Sequence, residues 1–191
     1  TLRGGILDLI EREGKASKGR IVIKVNNLVD PEIIDALYAA NKGGAEIDLI
    51  VRSICCLRPG VPGLSENIRV RSLVGRFLEH SRLFRFGNEK RGVDFFLGSA
   101  DMMDRNLDRR VEAVVPVADP ELCGRLDEML NITPSDDVLA WEPGPASFCP
   151  KLPPPQAIHP HAVLPQPPPH LAPHPPSLAS PPRATPPQPP A

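Results

Sequence analysis

The sequence predicts an α/β domain: a mixed sheet flanked by helices, followed by a disordered proline-rich tail. Three features of the 191 residues point there. Between residues 20 and 51, two runs rich in β-branched side chains bracket an amphipathic stretch at the spacing of a βαβ unit, so the two strands should be parallel. Between residues 68 and 117, four short apolar runs follow one another with turn signals between them. After Glu142 the composition changes. Of the chain's 26 prolines, 20 lie between Pro143 and Pro190, where Lys151 and Arg183 are the only charged residues. A stretch with few apolar side chains to bury and many fixed φ angles is extended rather than packed. The globular domain is therefore assigned to residues 1–142 and the tail to 143–191. A domain of that size can bury roughly two thirds of its unfolded surface, enough for one core.

Taken in order, residues 2–14 place Leu2, Ile6, Leu9 and Ile10 on one helical face, with Gly14 as a stop. A polar connector leads to RIVIKVN (20–26), which reads as a buried strand. The next helix is well signalled: Asp30 as N-cap, Pro31 at the first position, Glu32 in the first turn, Gly43 at the end, and a core stripe of Ile33, Ile34, Leu37 and Tyr38. AEIDLIV (45–51) closes the βαβ unit, and an aperiodic loop with two proline turns follows it. Further strands are expected over 68–74, 82–87, 93–99 and 111–117. A last helix should start at Asp119-Pro120-Glu121 and run to about Asn131, with a short closing strand over 138–141.

Composition narrows the function. The formal net charge is −1, but from Arg52 to Arg110 eleven arginines and one lysine stand against seven acidic residues. A basic middle favours an anionic ligand, while the near-neutral total argues against a general nucleic-acid coat. Sixteen arginines to six lysines fits bidentate phosphate binding, although GC-rich coding gives the same bias. The four cysteines, Cys55, Cys56, Cys123 and Cys149, show no metal-ligand spacing and are expected to be reduced. No apolar run approaches the ~20 residues of a membrane span and no signal-peptide pattern occurs, so a soluble intracellular protein is expected. A chain that opens on Thr1 is expected to be part of a longer one.

Chemistry concentrates between Arg52 and Glu112. Arg52 directly follows a strand expected to be parallel, and ligands of open α/β sheets gather at such strand ends. A guanidinium there can grip a phosphate by two charge-assisted hydrogen bonds, each about 1.5–3 kcal/mol; a solvated loop arginine is the plain alternative. His80 is the only histidine before the tail, and a histidine side chain can accept a phosphoryl group, donate a proton or bind phosphate. On a strand, residues 80 and 82 point the same way, so His80 and Arg82 should converge. Ser99 in the GSAD turn, then Asn106, Arg109 and Arg110, add a hydroxyl, an amide and two cations at short range. Singly each is weak; together they have an order, H-x-R, a strand, G-S-x-D, then R-N-L-x-R-R-V-E.

That order resembles one half-site of the phospholipase D superfamily, where H-x-K is followed by four residues and an aspartate, and later by G-S-x-N. Arg82 stands in place of the lysine, Gly87 of the aspartate and Asp101 of the asparagine, so the architecture matches better than the hydrolase chemistry. In that superfamily two halves combine into one active site, which implies a phospholipase D-like fold here.

Longer stretches, NNLVDPEIIDALY, IDLIVRSICCLRPGVPGLSENIRVRSLVGRFLEHSR and GSADMMDRNLDRRVE, are similar to the C-terminal domain of the bacterial polyphosphate kinases, over about residues 2–142. The resemblance implies a part of a phosphotransferase that moves the terminal phosphate of ATP onto inorganic polyphosphate through a phosphohistidine in a preceding domain. It implies that His80 is the second histidine of the reaction, binding or protonating the transferring group, and that Arg52 contacts ATP phosphates. Arg82, Ser99, Asn106, Arg109 and Arg110 become possible polyphosphate contacts by position. It further implies Mg²⁺ held by ligands outside this chain, ATP, ADP and polyphosphate as partners along with upstream domains of the same enzyme, a homo-oligomeric full enzyme, and a cytoplasmic location compatible with peripheral placement at the inner membrane. This chain alone should be inactive. Two alternatives stand beside it: a phospholipase D-like phosphodiesterase or nuclease half-site, and a non-catalytic module that binds polyphosphate or ATP. The sequence departs from the family pattern at Met102, where tryptophan is usual, at Asp104, where proline is usual, and after Gly144. There the proline-rich text reads either as a shifted frame or as a genuine polyproline II tail for a partner.

Overall fold

The computed structural model describes residues 1–73, 80–132 and 140–141. The tail expected over 143–191 lies outside them, as do Val74 and the first two residues of the closing strand. The elements in order are α1 (Leu2–Lys15), β1 (Arg20–Val25), α2 (Pro31–Lys42), β2 (Glu46–Val51), β3 (Ile68–Leu73), β4 (Arg82–Asn88), β5 (Gly92–Gly98), α3 (Asp104–Asp108), β6 (Val114–Val117), α4 (Pro120–Ile132) and β7 (Ala140–Trp141).

The strands form one sheet in the order β6-β5-β4-β1-β2-β3-β7. β1, β2 and β3 run parallel, joined by the predicted βαβ unit. β4, β5 and β6 pair antiparallel beyond β1, and β7 pairs antiparallel with β3. The mixed sheet is thus parallel in one half and antiparallel in the other, and β1 is the seam. Alternation along the strands sorts the core into two layers. Ile21, Ile23, Val25, Leu49, Phe84 and Phe86 face α1 and α2 in the larger cluster. Val22, Ile50, Leu83 and Phe95 face Leu126 and Leu130 of α4 in the smaller one. Each fully buried Leu, Ile or Phe contributes about 1.5–3 kcal/mol of transfer free energy, so the helices are held mainly by these stripes.

Local chemistry sets the element ends. Thr1 Oγ1 accepts from Gly4 N at 3.1 Å and Asp30 Oδ1 from Ile33 N at 3.0 Å, so both N-caps engage. Arg3 of α1 reaches Asp30 at 2.6 Å and also pairs with Asp108, tying the first three helices together. Asp119 Oδ1 accepts from Leu122 N at 2.9 Å and starts α4 as expected.

The stretch after the GSAD turn, to which the sequence assigned no element, is a short helix, α3, because Leu107 is buried against the larger core and pulls one turn of backbone with it. One expectation is corrected. The strand expected over 111–117 begins only at Val114, since Val111 is fully exposed and the register of β6 starts opposite Gly98. β6 carries Pro116, which an edge strand tolerates.

Candidate functional site

The seam at β1 decides where side chains can meet. Arg52 leaves the carboxyl end of β2, and Asn26 and Asn27 leave that of β1. Because β4 is antiparallel, with Leu83 opposite Lys24, its first residues lie at the same end of the sheet. β5 returns there at Gly98, opposite Arg82, and β6 sets out from it. Segments distant in sequence are thereby delivered to one cleft of about 630 Å³, lined by Asn26, Asn27, Arg52, His80, Arg82, Gly98, Ser99, Asp101, Arg105, Asn106, Arg110 and Glu112.

Backbone hydrogen bonds fix the walls. Leu28 N donates to Ile54 O at 2.8 Å and Cys56 N to Leu28 O at 2.9 Å, so the loop after Arg52 lies along the β1–α2 connection. On its other side Met102 N donates to Asn27 O at 3.1 Å, and Met102 O accepts from Val29 N and Asp30 N. Met102, where the family pattern has tryptophan, is completely buried in the larger core. Asp104 opens α3 and pairs with Arg109 at 3.2 Å.

Asp101 is the hub. It is 4% exposed and accepts from Asn26 N at 2.7 Å, Asn27 N at 3.3 Å, and Arg82 Nε and Nη2 at 3.3 and 2.9 Å. Burial pushes its carboxyl up, but the Arg82 guanidinium and the two backbone amides outweigh that and hold it below the ordinary carboxylate range. Arg82 also donates through Nη1 to His80 O at 2.8 Å and lies 2.7 Å from His80 Nδ1. The expected convergence of His80 and Arg82 is thus present, although His80 itself precedes β4 and is exposed.

A second knot surrounds Glu112. Ser99 Oγ donates to one of its oxygens and Asn106 Nδ2 to the other, the latter at 2.6 Å, while Ser99 Oγ accepts from Ala113 N at 3.1 Å. The Ser99 hydroxyl first, then Asn106 and the charges of Arg110 and Arg82, hold this carboxyl below its usual range against partial desolvation. Asn106 is 3% exposed, and its Oδ1 is buried with no hydrogen-bond partner among the described residues.

The arginines differ. Among the described residues, Arg52, Arg105 and Arg110 make no ion pair and line the cleft, whereas Arg82 is bound to Asp101. The backbone of Arg52 is clamped: its N–H donates to Val25 O at 3.2 Å and its carbonyl accepts from Ser72 Oγ at 3.2 Å. Arg109 is the one candidate outside the lining, exposed and paired with Asp104. Arg105 and Glu112 were not singled out from sequence, though both fall within the R-N-L-x-R-R-V-E run. The described residues do not supply a magnesium cage. No three His, Cys, Asp or Glu side chains gather, and both oxygens of Glu112 are engaged. Among the same residues, no helix is long and apolar enough to cross a membrane.

Gly87 explains the lost aspartate of the phospholipase D pattern. Its φ is +100°, and a Cβ there would sit 2.2 Å from Gly92 O, so any side chain would collide with the β4–β5 turn.

Comparison with known proteins agrees with this geometry. The family model "Polyphosphate kinase C-terminal domain 2" matches residues 1–152. Polyphosphate kinase 1 of Chlorobaculum tepidum is 53% identical over 147 residues, 75% of this chain and 21% of that protein. The crystal structure of polyphosphate kinase from Porphyromonas gingivalis superposes with a TM-score of 0.79 at 38% identity, covering 85% of this chain and 26% of that one. Nuc of Salmonella typhimurium, a phospholipase D family member, superposes with a TM-score of 0.50 at 20% identity over 68% of this chain and 84% of that one, a likeness of fold alone. The fold is phospholipase D-like, and the chain spans about a fifth of the length of the curated relatives it matches.

Proposed function

The chain belongs to the polyphosphate kinase C-terminal domain family, and from that premise we propose that it is the phosphate-handling module of an enzyme that transfers the terminal phosphate of ATP to inorganic polyphosphate. The observation that supports this most is the meeting of His80 with three arginines free of ion pairs among the described residues, Arg52, Arg105 and Arg110, in one cleft. Phosphoryl transfer asks little covalent work of a protein; placement and preorganised charge do most of it. Arg52, at the end of β2 with its backbone clamped, is suited to hold nucleotide phosphates without moving. Arg110 and Arg105 offset charge on the phosphate chain, with Arg109 at the margin. Ser99, Asn106 and Arg82 line the cleft as possible polyphosphate contacts and keep its wall in shape through Glu112 and Asp101. His80 contacts the transferring group. The phosphohistidine resides in a domain outside this chain, and any magnesium ion, which would offset charge between the phosphates, is held there too.

Two measurements test the reading. In the full-length enzyme, replacing Arg52 or His80 by alanine should lower kcat by about 10²–10³, the usual cost of one transition-state charge donor, with little loss of stability. Incubated with γ-labelled ATP, the 191-residue chain should acquire no label. A stable, acid-labile label on His80 would make this domain the carrier of the phosphate and overturn the division of labour.

A further inference from the structure

We propose that Lys24, a buried lysine of β1 outside the cleft lining, is a positioning residue that holds His80 in place through Ser81. The inference rests on the proposed function for what His80 does, and on the geometry alone for what Lys24 does to it.

Lys24 stands where the fold asks for an apolar residue. It is 4% exposed. Its partners across the sheet are Ile50 of β2 and Leu83 of β4. Both belong to the smaller core cluster, as does Val22, two positions earlier on the same face. A charge taken out of water is costly unless hydrogen bonds and other charges offset it. A leucine or methionine would continue the stripe without that cost. A local rule broken inside a strand that otherwise reads as buried is the kind of exception functional sites carry.

The tip of the side chain shows where the cost is offset. Lys24 Nζ donates to Ser81 Oγ at 2.7 Å. The contact falls where main-chain pairing stops. The register between β1 and β4 runs out at Lys24 and Leu83, and that between β4 and β5 at Arg82 and Gly98. Ser81, and His80 in the cleft lining, lie beyond both ladders. Side chains therefore do for these two residues what the sheet does for Leu83.

Two cations share the task from opposite faces. Lys24 and Leu83 are cross-strand partners and look toward α4, whereas Arg82, adjacent to Leu83, looks the other way. Arg82 Nη1 donates to His80 O at 2.8 Å, and Lys24 takes the hydroxyl of the next residue. One anchor on the main chain would let the segment pivot about it. A second anchor, on the neighbouring residue and the other face, removes the pivot. Placement of this kind matters to rate, since a shift of about 1 Å at a reacting group costs about 10²-fold.

Backbone ¹⁵N relaxation of the chain reads the anchoring, and steady-state kinetics of the full-length enzyme read its use. In the unmodified chain the amides of His80 and Ser81 should be as rigid as the strands, with order parameters of about 0.85, and in Lys24→Met they should fall below about 0.6. In the enzyme, Lys24→Met should lower kcat about 10–100-fold. Tripolyphosphate affinity should stay unchanged, because Lys24 does not line the cleft. A loss confined to kcat is one a merely structural lysine would not produce. Ser81→Ala keeps the test open should Lys24→Met fail to fold; it should loosen the same amides and lower kcat in the same sense, and Ser81→Thr, which returns the hydroxyl, should recover both. Unchanged order parameters in either folded variant overturn the proposal, as does a loss of affinity that matches the loss of kcat. His80→Ala separates the two levels. If it leaves kcat unchanged, the proposed function falls; if it lowers kcat while a loosened His80 in Ser81→Ala does not, only this inference falls.

Discussion

The two ends of the sheet carry clefts of nearly equal size and different meaning. At the amino ends of β1 and β2, about 650 Å³ is lined by Lys18, Arg20, Arg85 and Lys90 with Glu46, Asp48, Glu89 and Asp127. Its charges balance and its arginines are engaged: Arg20 pairs with Asp48, and Arg85 with Asp127 at 2.8 Å. At the carboxyl ends, about 630 Å³ holds four arginines against two carboxylates, and only one of the four is ion-paired among the described residues. Charge and concavity are common to both. What separates them is whether the cations already have partners, and whether a histidine stands among them. A cleft that neutralises itself is structural; one that leaves arginines without carboxylates favours a polyanion.

The sharpest way to break this contrast is through stability. The Arg82–Asp101 pair is almost wholly buried, while Asp127 of the Arg85 pair is 40% exposed. Asp101→Ala strands a buried guanidinium and should cost about 3–5 kcal/mol in chemical denaturation. Asp127→Ala should cost about 0–1 kcal/mol, as half-exposed pairs do. Replacing both partners by apolar residues of similar volume, Arg82→Met with Asp101→Leu, should recover only part of the loss, because the Asn26 and Asn27 amides still lose their acceptor. Equal costs at the two ends would mean that the pairs play the same part.

Next in size is ligand binding. Arg52→Ala should weaken tripolyphosphate binding at least about 10–100-fold, the loss of one charge-assisted bond worth about 1.5–3 kcal/mol at about 1.4 kcal/mol per decade. Arg20→Ala, at the other end, should leave the dissociation constant unchanged in the same titration. If Arg20→Ala weakened binding as much, the polyanion would sit in the wrong cleft. Smaller still are Arg105→Ala and Arg110→Ala. Both side chains are exposed, so each should weaken binding about threefold and flatten its salt dependence, since exposed charges act through a screened field.

Much of this was legible before the structure. The βαβ unit, its caps and the last helix followed from Asp30, Pro31, Gly43 and Asp119-Pro120, because local propensity and core burial agree there. Arg52 stood out by its place after a strand and His80 as the only histidine before the tail, and the fold brings both to the lining of one cleft. Two kinds of information were hidden. Leu107 looks like an isolated apolar residue in a charged run, and only its burial in the larger core turns the segment into α3. The meaning of Asp101 was hidden for a related reason: its partner Arg82 is nineteen residues away, and their meeting depends on the antiparallel return of β4 and β5 that sets Arg82 opposite Gly98. Glu112 escaped notice because a carboxylate inside an anion site reads as an obstacle, until Ser99 and Asn106 are seen to bind it.

The smallest effect concerns that carboxylate and sharpens the contrast from the cleft side. Hydrogen bonds from Ser99 and Asn106, and the nearby charges of Arg110 and Arg82, favour ionised Glu112 in the folded chain, so its folded pKa lies below the unfolded value of about 4.3. A carboxylate lowered on folding gives stability that is fully present above the unfolded value and lost as pH falls through the folded one. Glu112→Gln removes the titration, so the stability gap between the unmodified chain and the variant should be constant from neutral pH down to about 4.3 and shrink below it. Denaturant titrations at pH steps through that window read the gap directly. A gap that held its full size well into acid would mean that Glu112 stands there as packing and a neutral hydrogen-bond acceptor, and the cleft would then keep four arginines with Asp101 alone as their anionic counterweight.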